Sequence, residues 1–302
     1  MSNPLTIVGA GLAGLVAAHA WPQAPVFEAS VSPRAGHKAL LRFRSDAVSH
    51  LVGIEFRKVR VHKGIWADGA FQAPSILWAN NYSQKVLQGQ LRGDRSIWSI
   101  DPVERFIAPD NLYEQLIDAV GNRVRWDSPV DFADSKSSII STAPLPLVLK
   151  ALNIAAPVEF PRAAIRVVRW RISNCDVFQT TYFPEPWLNV YRASITGDTL
   201  IVESVGELTK DDTHEVGRAF GICLEDNQFL ESIDQKYGKI ASIDDAVRKQ
   251  LLFTLTHNHT IYSLGRFATW RNILLDDVVN DIAAIKRLLK TNSAYDARKA
   301  AT

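Results

Sequence analysis

The sequence predicts an α/β chain with a parallel-sheet domain and a smaller, mainly antiparallel β domain, on three observations. A β-branched run at Leu5–Val8 closes on a glycine-rich turn and an Ala-rich helical stretch. Alternating apolar strands crowd the middle of the chain, and a last strand, loop and amphipathic helix return to the opening pattern. A length of 302 residues, at about 150 per domain, leaves room for two cores.

Taken in order, Leu5–Val8 reads as a strand, Gly9-Ala10-Gly11-Leu12-Ala13-Gly14 as a tight turn, and the stretch to Ala20 as a helix that Trp21-Pro22 must end. A second strand at 25–27 closes on Glu28, at offset 19 from Gly9, which completes a βαβ opening of the Rossmann type. Residues 65–100 read as antiparallel strands, and 111–120 as a helix with Leu112, Leu116 and Ala119 on one face before Gly121. Residues 124–132 read as strand, and 138–144 as a buried strand running into a proline-broken loop and a short helix. Alternation marks strands at 165–172, 180–191 and 200–205, and helical spacing marks 211–224 and 243–255. Residues 260–264 read as strand, 265–275 as loop and 276–290 as a helix with Val278, Ile282, Ile285 and Leu289 on one face. The expected domains are 1–62, 105–155 and 256–302 for the first, and 63–104 with 156–255 for the second.

Composition excludes several classes. With 47% apolar and 22% charged residues the chain is neither disordered nor a membrane bundle. No run reaches the ~18 apolar residues of a spanning helix, and the first residues make a poor signal peptide, so a cytoplasmic protein with no membrane partner is expected. A net charge of +2 confines any polyanion site to a local patch. Cys175 and Cys223, far apart and without CxxC spacing, write neither a disulfide framework nor a metal cage. Residues 34–63 are the one charge-dense segment, with eight cations against Asp46 and Glu55.

The glycine pattern has a mechanical reading. Gly9 permits the turn, Gly11 lets backbone approach a pyrophosphate, Gly14 lets the helix pack on its strand, and the helix N-terminus offers amides and a positive dipole. Glu28 then accepts hydrogen bonds from both hydroxyls of an adenosine ribose, which disfavours a 2′-phosphate.

After these residues the chain resembles the FAD superfamily that contains amine oxidases, protoporphyrinogen oxidase and UDP-galactopyranose mutase. Arg34-Ala35-Gly36-His37 is similar to the family's Arg-x-Gly-Gly element, with His37 in place of the second glycine. Arg125-Trp126-Asp127-Ser128-Pro129-Val130 resembles the strand that meets the adenine side, and Ile139-Ile140-Ser141-Thr142-Ala143-Pro144 the passage under the cofactor. Leu264-Gly265-Arg266-Phe267-Ala268-Thr269-Trp270, followed by Asp276-Asp277, is similar to the C-terminal FAD motif. The resemblance implies FAD as cofactor, held by Gly9, Gly11, Gly14, Glu28, Arg34, Gly36, Val130, Thr142, Gly265 and Arg266, with Asp276 or Asp277 on a ribityl hydroxyl.

A flavin performs the electron chemistry, so catalytic side chains leave a faint trace in sequence. The candidates are His37, for its place beside the flavin element, and Tyr237 and Lys239, which a turn at Gly238 would present to a cleft. Arg42 and Arg44, with Arg169 and Arg171 on the strand face opposite Trp170, are candidates to receive a phosphorylated substrate or DNA. The 35–45 stretch also resembles small phage flavoproteins that help build modified thymines in DNA. The expectation is an FAD-dependent oxidoreductase or lyase acting on an amine-bearing substrate by hydride transfer to flavin N5, such as an amino-acid-modified thymine in a nucleotide or DNA. The alternatives are a UDP-galactopyranose-mutase-like enzyme acting on a nucleotide sugar, and a nucleotide-binding scaffold with a redox-silent cofactor.

Overall fold

The computed structural model describes residues 4–33, 42–87, 97–135 and 137–300, with side chains described except at 236–237 and 292–300. Along the chain the elements are β1 (Leu5–Val8), α1 (Leu12–Ala20), β2 (Val26–Phe27), β3 (Arg42–Phe43), α2 (Ala47–Val52), β4 (Arg57–Ala67), β5 (Ala70–Gln72) and α3 (Ile76–Leu87). There follow β6 (Val103–Ile107), α4 (Leu112–Val120), β7 (Val124–Arg125), β8 (Ser138–Ser141), α5 (Leu145–Ala151), β9 (Arg162–Arg171), β10 (Phe178–Tyr182) and β11 (Val190–Thr196). The chain closes with β12 (Thr199–Ser204), α6 (Lys210–Phe220), β13 (Gln228–Ile240), α7 (Asp245–His259), β14 (Ile261–Ser263) and α8 (Leu275–Ala300). These fall into two compact units, one of Met1–Arg57, Phe106–Phe160 and Ser242–Thr302, the other of Lys58–Arg105 and Pro161–Ala241.

The first unit is built on a parallel sheet in the order β14-β8-β1-β2-β7. Its strands are short β-branched runs because both faces are covered, which removes any need for polar alternation. Ile7, Leu15, Val16, Leu112, Leu116, Ile140, Val278 and Ile282 share one core, so α1, α4 and α8 all bury an apolar stripe in it. Since β1 has β2 on one side and β8 on the other, the chain reverses direction of travel at the carboxyl end of β1, where open α/β sheets bind ligands.

The second unit holds a sheet in the order β13-β9-β12-β11-β10-β4, antiparallel except for the parallel β10–β4 pair. Beside it β5 folds back on β4 through Asp68-Gly69, both at positive φ (52° and 71°), the geometry that suits a two-residue hairpin. One sheet face packs Trp170, Ile195, Leu200 and Val202 with Val216 of α6. A Thr209–Asp212 capping box starts α6 and left-handed Gly221 ends it.

Three expectations are corrected. Within 65–100, expected as strands, the buried Ala79, Tyr82, Ser83 and Val86 recur at helical spacing and form α3. The strand expected at 124–132 is cut to β7, because Asp127 turns into the left-handed region (φ 50°) and Pro129 follows. The turn expected at Gly238 does not exist: β13 passes through it, with a register break against β9 between Gln235 and Lys239. Gly238 is needed there because a Cβ would sit 2.2 Å from Ile165 Cγ1.

Candidate functional site

The site is built on the turn between β1 and α1. Gly9 adopts φ +100°, and a Cβ on it would lie 2.2 Å from Thr142 Oγ1 at the end of β8. Thr142 Oγ1 donates to Val8 O at 2.9 Å, tying the two strand ends together. A Cβ on Gly14 would lie 1.9 Å from Gly9 O, so helix and turn are in direct backbone contact. Gly11 differs from both: it is extended (φ −73°, ψ 174°), has open space around its Cα and gives α1 no side-chain cap. The first turn of α1 thus receives no side-chain cap from its N-cap residue and lies in the electropositive field of the helix N-terminus.

Glu28 stands at the end of β2, next to that turn. Its carboxylate accepts from Ala10 N (2.8 Å) and Ser30 N (2.9 Å), and the buried Tyr113 hydroxyl donates to Ala10 O (3.1 Å), so the turn is held from both sides. Glu28 N donates to Arg125 O and Ser128 N to Glu28 O, which lays the 125–130 loop along β2 with Val130 half-buried. These residues could hold a dinucleotide: the helix start at Gly11 suits a diphosphate and a carboxylate at the end of β2 suits a ribose.

The C-terminal block reaches the same turn. Gly265 (φ +90°) packs so closely on α1 that a Cβ would lie 2.9 Å from Ala13 Cβ, and Leu264 N donates to Ser141 O. Arg266 follows, its guanidinium carbon 5.4 Å from the centroid of the Phe267 ring. Asp276 is buried and accepts from Arg44 N (3.1 Å), Ser45 N (3.0 Å) and Ser45 Oγ (3.0 Å). Asp277 caps Leu274 N (2.9 Å) and pairs with the Arg44 guanidinium (2.5 Å). The pair of acids therefore serves as a latch for residues 44–45, and Arg44, expected at a substrate phosphate, is engaged by protein. Arg42, in β3, is likewise not free.

In the second unit, Trp170 and Arg171 do point to opposite faces, Trp170 into the core and Arg171 to solvent. The arginines, however, are paired: Arg169 with Glu231 (2.8 Å), Arg171 with Asp198, and Arg166 with Asp234 (2.8 Å) and Glu207 (3.1 Å). Each carboxylate reduces what the strand offers a polyanion. Lys239, expected to face a cleft from a turn at Gly238, lies instead on β13 and is only 5% exposed; its Nζ lies 3.9 Å from Glu203 Oε1 and 4.9 Å from the Tyr191 ring centroid. Arg34, Gly36 and His37 lie outside the described residues, as does the side chain of Tyr237.

Sequence reasoning missed the network around Glu203. Tyr191 donates its hydroxyl to Glu203 Oε1 (3.0 Å), and Arg192 Nε donates to Oε2. Burial pushes the Glu203 carboxyl up, but the charges of Arg192 and Lys239 outweigh it and hold the group at about 2. Burial, reinforced by Glu203, pushes the Tyr191 phenol well above its ordinary value. An acid inside the apolar run Leu200-Ile201-Val202-Glu203-Ser204 was the available signal. Burial also brings Lys85 of α3 down to about 7, against Asp212 and Glu185, while its Nζ donates to Phe183 O (2.7 Å) and Val190 O (3.0 Å).

Among the described residues no helix is long and apolar enough to cross a membrane. No protein-family model and no curated protein match the sequence. Solved structures do. A reduced UDP-galactopyranose mutase matches over 96% of this chain and 94% of its own, at 14% identity and a TM-score of 0.68. Wild-type putrescine oxidase bound to putrescine matches over 97% and 99%, at 12% identity and a TM-score of 0.55. Aklavinone-11 hydroxylase in a ternary complex with FAD and aklavinone matches over 97% of this chain and 62% of its own, at 13% identity and a TM-score of 0.53. At such identities the likeness is one of fold, and the chain has the α/β architecture shared by these enzymes.

Proposed function

We propose that the chain is an FAD-dependent oxidoreductase that acts on a small amine-bearing substrate. The observation that carries this reading is the cradle at the carboxyl end of β1: Gly11 fronting an uncapped helix N-terminus, with Glu28 beside it. When bound, FAD supplies two-electron redox chemistry at its isoalloxazine ring. The amides at the start of α1 would donate to the diphosphate, Glu28 would accept from ribose hydroxyls, and the Val130 backbone would flank the adenine. Arg34, Gly36 and His37 are assigned to the flavin side through the resemblance of their motif, with His37 moving the substrate proton. Gly265 packs against Ala13 beside the cradle, and Arg266 is assigned to the cofactor through the resemblance of its motif. Lys239, held on Glu203, is a positioning residue in this reading, and Tyr237 is assigned to the substrate pocket.

The amine class is supported by the fold shared with putrescine oxidase and by the sequence motifs. The resemblance of the 35–45 segment suggests an amino acid joined to a pyrimidine as its form. Pairing of Arg166, Arg169 and Arg171 with acids favours a nucleotide over duplex DNA as the carrier. A second reading, a mutase acting on a nucleotide sugar, is favoured by the TM-score of 0.68 with the mutase over nearly the whole of both chains.

The test is the absorbance spectrum of protein purified without added cofactor, with mass analysis of what heating releases. A flavin band and released FAD are expected; a well-folded preparation that stays colourless and takes up no flavin in titration refutes the reading. Anaerobic addition of an amine then separates the two readings. Bleaching supports oxidation, and turnover only after prior reduction supports the mutase.

A further inference from the structure

The second unit carries a charged cluster of which the flavin reading uses Lys239 alone. Residues paired across a sheet share a face, so the registers Ile65↔Tyr182, Tyr182↔Arg192, Arg192↔Glu203 and Glu203↔Val167 align one row across β4, β10, β11, β12 and β9. The apolar core under α6 takes the alternate residues Ala193, Leu200 and Val202, so the row lies on the opposite face. There Tyr82 of α3 stands edge-on to Tyr182 (5.4 Å) and to Tyr191 (6.3 Å).

Arg192 is held in this row by a single atom. Its Nε donates to Glu203 Oε2, and among the described residues Nη1 and Nη2 have no hydrogen-bond partner. A guanidinium carries five N–H donors; Arg169 on Glu231 and Arg171 on Asp198 also bond through one nitrogen, whereas other arginines of the chain use several. Arg166 spends Nε, Nη1 and Nη2 on Asp234 and Glu207, and Arg218 spends Nη1 and Nη2 on Glu215 and Gly69 O. Arg192 keeps 28% of its side chain exposed while Glu203 keeps 10%, so the anchor is the more deeply buried partner, and neither Nη1 nor Nη2 is among the buried unpartnered polar atoms of the described residues. That edge is the planar fork that matches two oxygens of a carboxylate or phosphate. Tyr191 and Lys239 fix the anchor from its other oxygen, which sets the direction of the fork.

We infer that Arg192, tethered through Nε to Glu203, is an oxyanion receptor on the α3 face of the second unit, taking a carboxylate or phosphate group of a small molecule on its Nη1–Nη2 edge. The inference stands on the second unit alone and does not depend on flavin binding.

Calorimetric titration of the full chain, flavin-saturated where it binds flavin, with inorganic phosphate and separately with acetate at constant ionic strength tests it. Saturable binding with a Kd on the order of 1 mM is expected for at least one. Phosphate alone assigns a phosphate group, acetate alone a carboxylate, and both a receptor for either. Arg192→Gln weakens binding at least ~10-fold, and Arg192→Lys also weakens it because the charge stays but the fork is gone. Arg287→Gln, on the exposed side of α8, leaves it unchanged. If Arg192→Gln fails to fold because Glu203 is left unpaired, the double variant Arg192→Gln/Glu203→Gln replaces it in the comparison. Glu203→Gln is the sharpest arm: bulk electrostatics predicts tighter anion binding on losing a carboxylate, whereas a positioned fork predicts weaker binding. Tighter binding by Glu203→Gln, or no Arg192-dependent binding of either anion, overturns the inference.

Discussion

Three glycines in one turn have three physical jobs, and substitutions separate them. Gly14→Ala drives a Cβ into Gly9 O at 1.9 Å, a backbone clash that costs about 3 kcal/mol and lowers the denaturation midpoint of the protein whether or not cofactor is present. Gly11→Ala meets nothing within 4 Å and has an extended backbone that any residue adopts. Its thermal midpoint without cofactor is expected to match the parent, while FAD affinity in a fluorescence titration falls at least ~10-fold, about 1.4 kcal/mol, because the new methyl occupies the diphosphate approach. A Gly11→Ala protein that binds FAD normally removes the cradle from consideration. Glu28 was legible beside these glycines because offset and residue type are both local properties. Its hydrogen bonds to Ala10 N and Ser30 N were not, since they depend on how β2 lies along β1.

At the scale of elements, the start of α8 is a joint as well as a helix end. Asp276 gathers two amides and a hydroxyl from residues 44–45, which stand 232 and 231 positions away in sequence. Asp276→Ala leaves those donors half-buried without an acceptor and is expected to cost about 2–3 kcal/mol by urea denaturation, with Asp276→Asn costing less because one oxygen remains. Helix α3 carries a different handle. Lys85 sits at about 7 in the folded chain against an ordinary 10.5, so as pH falls from 10.5 the unfolded chain takes up its proton first. Stability contributed by neutral Lys85 is present above 10.5 and lost as pH falls toward 7. Urea midpoints should therefore rise between pH 7 and 10, and Lys85→Met should flatten that rise. Helix α3 itself was hidden because its apolar positions are mixed with Asn, Ser and Gln and follow a strand-rich segment, so alternation and helical spacing compete over few residues.

For the molecule as a whole, binding to the folded state must show as stability. FAD at about 100 times its Kd is expected to add about 2.7 kcal/mol to unfolding, visible as a rise in the thermal midpoint of the parent and cut to about 1.4 kcal/mol or less in Gly11→Ala at the same concentration. The opening strand, turn and helix, the acid that follows them, and the order of the later blocks were determined by the sequence alone. They rest on backbone conformations only glycine adopts cheaply and on apolar periods within a dozen residues. Only the tertiary structure decided the charges. Arg44 on Asp277, Lys239 beside Glu203, and Arg192 held by one nitrogen are pairings between distant segments. Their meaning depends on burial and on which donors remain unused, and no local rule of the chain encodes either quantity.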